Sequence, residues 1–285
     1  MIPVVKTVEE VRRYVKSAKK EGKTIGFVPT MGFLHEGHKS LIVRAAKEND
    51  FVVVSDFVNP TQFGPNEDFE AYPRDIEQDA KLCKEAGADI IFNPEAPEMY
   101  DNALTTVTVD KITKVLCGAS RPGHFAGVAT VVSKLFNIVA PDRAYFGEKD
   151  AQQLMVIRKM VKDLNFDIEI VGCPIIREED GLAKSSRNTY LNCEERKAAL
   201  CLSRALNIGK KMIEDGEKSA VAVKNAIIAE IEKEPLSKID YVEIVDLDTL
   251  DPAERTDTGI LTAIAVYIGK TRLIDNFIIE KVDNK

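Results

Sequence analysis

The sequence predicts an α/β fold: a doubly wound parallel sheet followed by a smaller C-terminal α+β domain. Three observations predict it. Short apolar runs alternate with helical stretches up to about Gly172, the pattern of a parallel sheet joined by crossover helices. Some runs are unbroken and β-branched, as in Phe51-Val52-Val53-Val54, which marks strands buried on both faces. The alternation then stops, and the remaining chain reads as two helical stretches and three strand-like runs.

Each element follows from its residues. Thr7 with Glu10 forms a capping box before a helix carrying Val8, Val11, Tyr14 and Val15. Thr24-Ile25-Gly26-Phe27-Val28 is a short buried strand, and Pro29-Thr30-Met31-Gly32 is expected to turn at its end. A helix starts near Gly37 and runs through Leu41, Ile42 and Ala45, and the strand at Phe51 follows it. A polar loop bearing Pro and Gly covers 59–74, then a helix reaches Ala86-Gly87 and a strand spans Asp89-Ile90-Ile91-Phe92. Residues 125–139 are helical, Arg143-Ala144-Tyr145-Phe146 is a strand, 149–164 is a helix, and Ile168-Glu169-Ile170-Val171 is a strand. Two helical stretches within 194–233 separate near Gly216, and the runs 239–245, 260–268 and 272–280 form a small antiparallel sheet. A boundary between Gly172 and Asn192 gives a Rossmann-like domain over 1–175 and an α+β domain over 176–285, expected to close over the site of the first. There is no internal repeat and no low-complexity tract.

Composition excludes several classes. With 285 residues, 45% hydrophobic and 30% charged, the chain can build a core without metals or disulfides. A net charge of -7 and a pI near 5.3 argue against a nucleic-acid partner, which usually demands a basic face. No stretch approaches the roughly 20 apolar residues of a membrane span, so no membrane partner is expected. The five cysteines form no C-x-x-C pair and are odd in number, which fits a reducing compartment with cysteines as small core hydrophobes. The start Met1-Ile2-Pro3-Val4-Val5-Lys6 turns polar at once and lacks the apolar run of a signal peptide. A cytoplasmic protein is expected.

Five segments carry candidate chemistry. The first, Pro29-Thr30-Met31-Gly32-Phe33-Leu34-His35-Glu36-Gly37-His38, joins a strand to a helix. A helix start offers free N–H groups and a dipole favourable to anions. Gly37 allows close backbone approach, and His35 and His38 add donors for phosphate oxygens as charge shifts onto a leaving group. Taken alone, H-x-G-H is equally a turn with two exposed histidines. The three histidines of the chain, His35, His38 and His124, all lie in Gly-bearing segments rather than on apolar helix faces.

The second segment, Ser55-Asp56-Phe57-Val58-Asn59-Pro60-Thr61-Gln62-Phe63-Gly64, leaves a strand end, where a doubly wound fold puts its ligand. Asn59 and Gln62 suit hydroxyls and carbonyls of a small polar substrate. In the third, Ser120-Arg121-Pro122-Gly123-His124-Phe125, Arg121 suits a carboxylate. The fourth, Phe146-Gly147-Glu148-Lys149-Asp150-Ala151-Gln152-Gln153, is another strand–Gly–helix junction with a mobile cation at Lys149. The fifth, Lys184-Ser185-Ser186-Arg187-Asn188, offers two hydroxyls and a guanidinium on a loop able to close over phosphates. Alone, the second, third and fifth read better as an Asx/Pro turn, a surface arginine and a polar linker, and the fourth reads equally as a capped helix start. No cluster has structural-zinc spacing, no metal ligands are assigned, and neither G-x-x-x-x-G-K-[ST] nor G-x-S-x-G occurs.

In this order and spacing, the five segments closely resemble the pantothenate synthetase family, from about Val28 to Leu191 and more weakly through Arg272-Leu273-Ile274-Asp275-Asn276. The resemblance implies a cytoplasmic homodimer that uses Mg²⁺ and ATP to convert pantoate to pantoyl-adenylate, which β-alanine then captures to give pantothenate and AMP. It also implies roles. His35 and His38 would bind ATP phosphates, with His38 the proton donor, and Met31 and Gly32 would lie along the nucleotide and acyl group. Gln62 and Gln153 would hold pantoate. Ser55, Asn59 and Arg121, with Gln62, would receive β-alanine. Gly147, Lys149 and Asp150 would hold ribose and phosphate, Ile176 the adenine, and Ser185, Ser186 and Arg187 the triphosphate. His38, His35 and Lys149 form the catalytic set.

Two residues depart from the family pattern. Asp56 and Lys184 stand where relatives usually carry apolar residues, and an unpaired buried carboxylate at Asp56 would be costly. Two other classes remain open: an H-x-G-H adenylyltransferase acting on a phosphate acceptor, and a non-catalytic nucleotide-binding regulator. The adenylyltransferase reading leaves Gln62, Gln153 and Arg121 unexplained. The regulator reading fits poorly with the retention of both histidines, Lys149 and the Ser-Ser-Arg triplet. A class I tRNA synthetase is a weaker option, because the sequence offers no tRNA-binding appendage or basic face.

Overall fold

A computed structural model describes residues 2–65 and 67–281. The predicted outer ends of both domains, and the loop reading at Asn66, therefore lie partly outside the described residues. The chain divides into two compact units. The first comprises Met1–Thr113, Arg121–Glu148 and Gln152–Ile176, and the second Lys114–Ser120, Lys149–Ala151 and Arg177–Lys285.

The elements run β1 (Val4–Val5), α1 (Val8–Lys20), β2 (Ile25–Thr30), α2 (Glu36–Glu48), β3 (Phe51–Asp56), α3 (Ile76–Ala86), β4 (Ile90–Phe92), α4 (Ala96–Tyr100), α5 (Cys117–Ser120), α6 (His124–Val139), β5 (Arg143–Gly147), α7 (Ala151–Asp163) and β6 (Glu169–Cys173). Then come α8 (Cys193–Ala198), α9 (Leu200–Glu214), α10 (Ala220–Ile231), β7 (Ser237–Asp246), β8 (Ile260–Ile268) and β9 (Thr271–Ile279). Short 3-10 turns occupy Pro60–Gln62, Glu148–Asp150 and Ser186–Tyr190. The helix after β5 therefore starts later than expected, because 148–150 wind as a 3-10 turn before α7.

In the first unit the sheet order is β1-β4-β3-β2-β5-β6, and every pairing is parallel. Strand alternation sends Phe27, Val53, Phe92 and Phe146 to the layer of α1, α6 and α7. Val28, Val54, Ile91 and Tyr145 go to the layer of α2 and α3. Both faces are thus covered, and the unbroken apolar strands have a physical reason. The chain leaves β2 in one direction for β3 and returns on its other side as β5. That reversal puts the switch point, where such sheets take ligands, at the carboxyl ends of β2 and β5.

The expected turn at Pro29 is corrected: β2 continues through Thr30. Thr30 faces β3, since its carbonyl accepts from Phe57 N–H at 3.1 Å. Pro29 therefore faces β5, which pairs with β2 only at Gly26 and Phe27. Its missing N–H removes no ladder bond there.

The second unit packs α9 and α10 on an antiparallel sheet ordered β7-β8-β9. Arg177 holds Asp275 through two hydrogen bonds of 2.7 and 2.9 Å. Among the described residues no helix is long and apolar enough to cross a membrane. Four cysteines are buried and Cys193 is exposed, so the core role expected of the cysteines does not extend to Cys193, the first residue of α8.

Candidate functional site

At the carboxyl end of β2 the chain bends through two left-handed residues, Gly32 (φ 79°) and Phe33 (φ 51°). The bend is fixed from outside. Asp79, buried on α3, accepts from Phe33 N–H and Leu34 N–H, each at 2.7 Å. Gly32 is required on steric grounds as well. A Cβ there would stand 2.2 Å from Asp56 Oδ1.

The α2 helix then begins with a capping box made of imidazoles. Gly37 N–H donates to His35 Nδ1 at 3.1 Å, and His35 N–H donates to His38 Nδ1 at 3.2 Å. The two rings lie 4.1 Å apart and 34° from parallel. Because each Nδ1 accepts a backbone proton, each neutral ring carries its own proton on Nε2. The pair thus caps its helix at the positive end of the helix dipole.

After β3, Asn59 caps the Pro60–Gln62 turn. Its amide donates to Gln62 Oε1 at 3.0 Å and to Gly127 O at 3.3 Å, and its Oδ1 accepts from Tyr100 OH at 2.8 Å. Gln62 Nε2 reaches Met31 Sδ at 2.9 Å. Gly127 lets α6 press on this turn, since a Cβ there would lie 2.4 Å from Thr61 O. His124 bridges Gln62 O at 2.8 Å and Arg121 Nη1 at 3.1 Å.

The 59–74 segment is more than a polar loop. Phe63 packs edgewise on Phe69 and Tyr72, at 5.4 and 5.9 Å. Glu67 of the same segment grips Arg121 through bonds of 2.7 and 2.6 Å. Burial would raise the Glu67 carboxyl, but the Arg121 guanidinium outweighs it and holds Glu67 below its ordinary range. A protein carboxylate therefore occupies the fork that the sequence reserves for a substrate carboxylate.

Met31, Asn59, Gln62 and Arg121 are thus joined in one set by direct bonds and His124. Ser55 lies fully buried on β3, and its Oγ has no hydrogen-bonding partner, the kind of orphan an incoming polar group satisfies. Gly147 ends β5, and Gln153 and Ile176 are half-buried in the first unit. Gln152, the neighbour of Gln153, is tied to Ile112 O at 2.8 Å. Four participants escape sequence reasoning: Glu67, Asp79, Gly127 and the bridging role of His124. Only tertiary contact reveals them, although the opposite charges of Glu67 and Arg121 are a weak hint.

The second unit holds the remaining predicted residues. Lys149 is half-buried, Asp150 is exposed, and the Lys149 carbonyl accepts from Asn276 Nδ2 at 2.9 Å. The Lys184–Asn188 stretch is a tied structure rather than an open linker. Arg177 bridges to Ala183, Asn188 donates to Glu178 Oε1 and Ala183 O, and Ser185 Oγ accepts from Arg187 N–H at 3.3 Å. Lys184 is half-buried beside these half-buried hydroxyls.

Asp56, expected to be costly if unpaired, has a partner. It is buried beside Asp79; burial first, then the Asp79 charge, pushes its carboxyl up to about 7. Among the described residues no group of three or more His, Cys, Asp or Glu is arranged to hold a metal ion.

Fold and site define a class: a doubly wound α/β protein with a polar site at the carboxyl edge of its parallel sheet. The family model for pantoate-beta-alanine ligase matches residues 3–278. A pantothenate synthetase of Clostridium acetobutylicum is 66% identical over 275 residues, covering 96% of this chain and 98% of that protein. One from Clostridioides difficile is 60% identical over 278 residues, covering 97% and 99%. Among solved structures, a Thermus thermophilus pantothenate synthetase superposes with a TM-score of 0.93 at 47% identity, covering 98% of this chain and 100% of that one. The chain belongs to the pantoate–β-alanine ligase family.

Proposed function

We propose that the protein condenses pantoate with β-alanine at the expense of ATP, through a pantoyl-adenylate, releasing pyrophosphate and AMP. Membership of the family supports the overall reaction. A Francisella tularensis pantoate–β-alanine ligase, 36% identical over 98% of each chain, was crystallised with a β-γ ATP compound and β-alanine. The observation that carries the residue assignment is the imidazole capping pair at the carboxyl end of β2, beside the bonded set Met31, Asn59, Gln62 and Arg121.

In this reading a pantoate carboxylate oxygen attacks the α-phosphorus, and the bond to pyrophosphate breaks. His35 and His38 donate hydrogen bonds from Nε2 to phosphate oxygens, with His38 the donor to the leaving pyrophosphate as charge builds on it. Lys149, Ser185, Ser186 and Arg187 offset the triphosphate charge. Gly147 and Asp150 hold ribose, and the Ile176 backbone the adenine. Mg²⁺ would arrive on ATP, since this ion is commonly held by substrate phosphates and one or two carboxylates. Gln62 and Gln153 hold pantoate, and Met31 and Gly32 line the acyl group and nucleotide. The neutral amine of β-alanine then attacks the acyl carbon and AMP leaves. Arg121, Asn59 and Ser55 receive β-alanine, and positioning supplies much of this step. The same reading makes the protein a cytoplasmic homodimer, which light scattering on the purified chain tests.

The deciding experiment follows pyrophosphate from Mg-ATP plus pantoate, then AMP and pantothenate after β-alanine is added. Pantoate-dependent pyrophosphate with product only after β-alanine is expected. No pantoate-dependent release from folded protein overturns the reading, and a stable dinucleotide product would favour the adenylyltransferase instead.

A further inference from the structure

The Asp56–Asp79 pair has no part in the proposed chemistry. It lies directly beneath the turn assigned to the nucleotide. Both residues are buried, and both carboxyls reach the same turn, Asp56 Oδ1 at Gly32 and Asp79 at the amides of Phe33 and Leu34. Two carboxyls buried against one turn repel each other when both are ionised, so one of the two carries a proton. Asp79 already accepts two backbone N–H bonds, one on each oxygen, at 2.7 Å. Such bonds favour the ionised form. Among the described residues no such donor is found on the Asp56 oxygens, and Asp56 Oδ1 stands where a Cβ on Gly32 would be. The proton therefore sits on Asp56.

We propose that Asp56, as a neutral acid donating to Asp79, is a positioning residue for the Met31–Gly32 turn: it seats Gly32 while Asp79 anchors the next two amides. The inference rests on the reading of that turn as the nucleotide site. Asp56 acts at Gly32, three residues before His35. Its effect passes through the backbone that leads into His35. Ionising Asp56 places a second charge against Asp79 and against the face of Gly32, in a buried site where like charges repel strongly. The turn is then pushed from its seat.

The surroundings fix which groups respond. Asp79, Asp75 and Cys83 face the pair from α3. Cys83, pushed up to about 12 by burial and both aspartates, stays a thiol throughout. Asp75 caps α3 by accepting from Gln78 N–H at 3.0 Å. Asn93, beyond β4, donates to the Asp56 carbonyl at 2.8 Å. His35 and His38 come after the turn at the start of α2 and are retained in every variant tested.

Asp56→Asn keeps the shape and a donor to Asp79 but cannot ionise. Between pH 6 and 8.5 the wild-type KM for ATP should rise roughly tenfold relative to the variant, the scale of one pKa unit of linkage, with kcat at saturating ATP following the same profile in both. Asp56→Ala, which removes the donor, should raise KM at every pH. Without any ligand, the Gly32, Phe33 and Leu34 amide resonances of the wild type should titrate together with the Asp56 side-chain carboxyl carbon, and stay flat in Asp56→Asn. A reacting enzyme whose KM profile is identical in wild type and Asp56→Asn overturns the positioning role and leaves the site reading intact. Failure of pantoate-dependent turnover overturns the site reading instead. Amides that ignore the Asp56 titration overturn the proposal in either case.

Discussion

Replacing Arg177 by alanine would strip a buried carboxylate of its partner. The Asp275 side chain is 1% exposed, whereas that of Arg177 is 34% exposed. The guanidinium makes two parallel bonds to Asp275 and a third to Gly181 O at 3.0 Å. After truncation, Asp275 keeps the N–H of Asn276 at 2.8 Å, one donor for a full charge. Breaking a buried pair from one side costs ~3–5 kcal/mol, and the partly solvated arginine puts this pair near the low end, about 3 kcal/mol. With a urea slope of roughly 2 kcal/mol/M, the midpoint for the C-terminal unit should fall by about 1.5 M. Equilibrium urea unfolding of the full chain, followed by far-UV circular dichroism and by hydrogen exchange of β9 amides, reads the effect. Arg177→Met combined with Asp275→Leu should recover most of the loss, because an apolar pair of similar volume replaces the ions without orphaning one. A shift below about 0.3 M for the single variant would mean that the pair behaves like a solvent-screened surface bridge, and the burial reasoning would fail. Asn276, next to Asp275, holds the carbonyl of Lys149, the residue that the proposed function assigns to the triphosphate.

Four further outcomes are expected. His38→Ala should cut pyrophosphate release by about 10²-fold while costing only about 1 kcal/mol through the lost capping partner; stopped assays and thermal melts separate the two. Glu67→Gln should free Arg121 and lower KM for β-alanine roughly three- to tenfold, the worth of a part-buried pair of about 1 kcal/mol, with pantoate-dependent pyrophosphate release little changed; an unchanged or higher KM would contradict this. Asp56, raised from 3.8 to about 7 in the fold, contributes stability that is fully present below pH 3.8 and lost as pH rises through 7. Asp56→Asn should therefore gain on the order of 4 kcal/mol relative to wild type between pH 4 and 8, measured by urea midpoints at each pH. Iodoacetamide should modify Cys193 alone in the native protein, because Cys83, Cys117, Cys173 and Cys201 are buried; mass spectrometry finding a second labelled site would refute it.

The sheet was legible in sequence because its strands are apolar on both faces, as in the short β-branched run Phe51-Val52-Val53-Val54. Boundaries failed where a local rule met a tertiary exception. Pro29 reads as a turn residue, yet its ring lies on the one stretch of β2 without a neighbour on that side. The two-residue β1 and the helices Ala96–Tyr100 and Cys117–Ser120 are too short to show any period. At the site, the histidine pair and the Asn59–Gln62 pair were legible because each lies within four residues of its partner. Glu67 with Arg121, 54 residues apart, and Asp79 with Phe33, 46 apart, were not. Nothing in a single sequence couples such positions. Asp56 looked like damage for the same reason, since its partner lies on a separate element, α3.

Glu67 and Asp79 use one device to opposite ends. Each is a protein carboxylate holding donors that an anionic ligand would otherwise seek: Glu67 takes the guanidinium of Arg121, and Asp79 takes the amides of Phe33 and Leu34. Burial sets the two apart. Glu67 keeps 24% of its side chain in water and sits in a segment held by edge-on aromatic contacts, so it can be exchanged for another carboxylate at modest cost. Asp79 is 1% exposed, and releasing it would orphan two backbone N–H groups as well as the proton donor of Asp56. Under the proposed function Glu67 would be a competitor that a substrate carboxylate displaces, with its influence confined to KM. Asp79 is part of the frame, and what varies around it is the proton on Asp56. Two acidic groups of similar appearance in the sequence thus divide into a displaceable one and a fixed one, and the division rests on exposure and on how many buried donors each would leave behind.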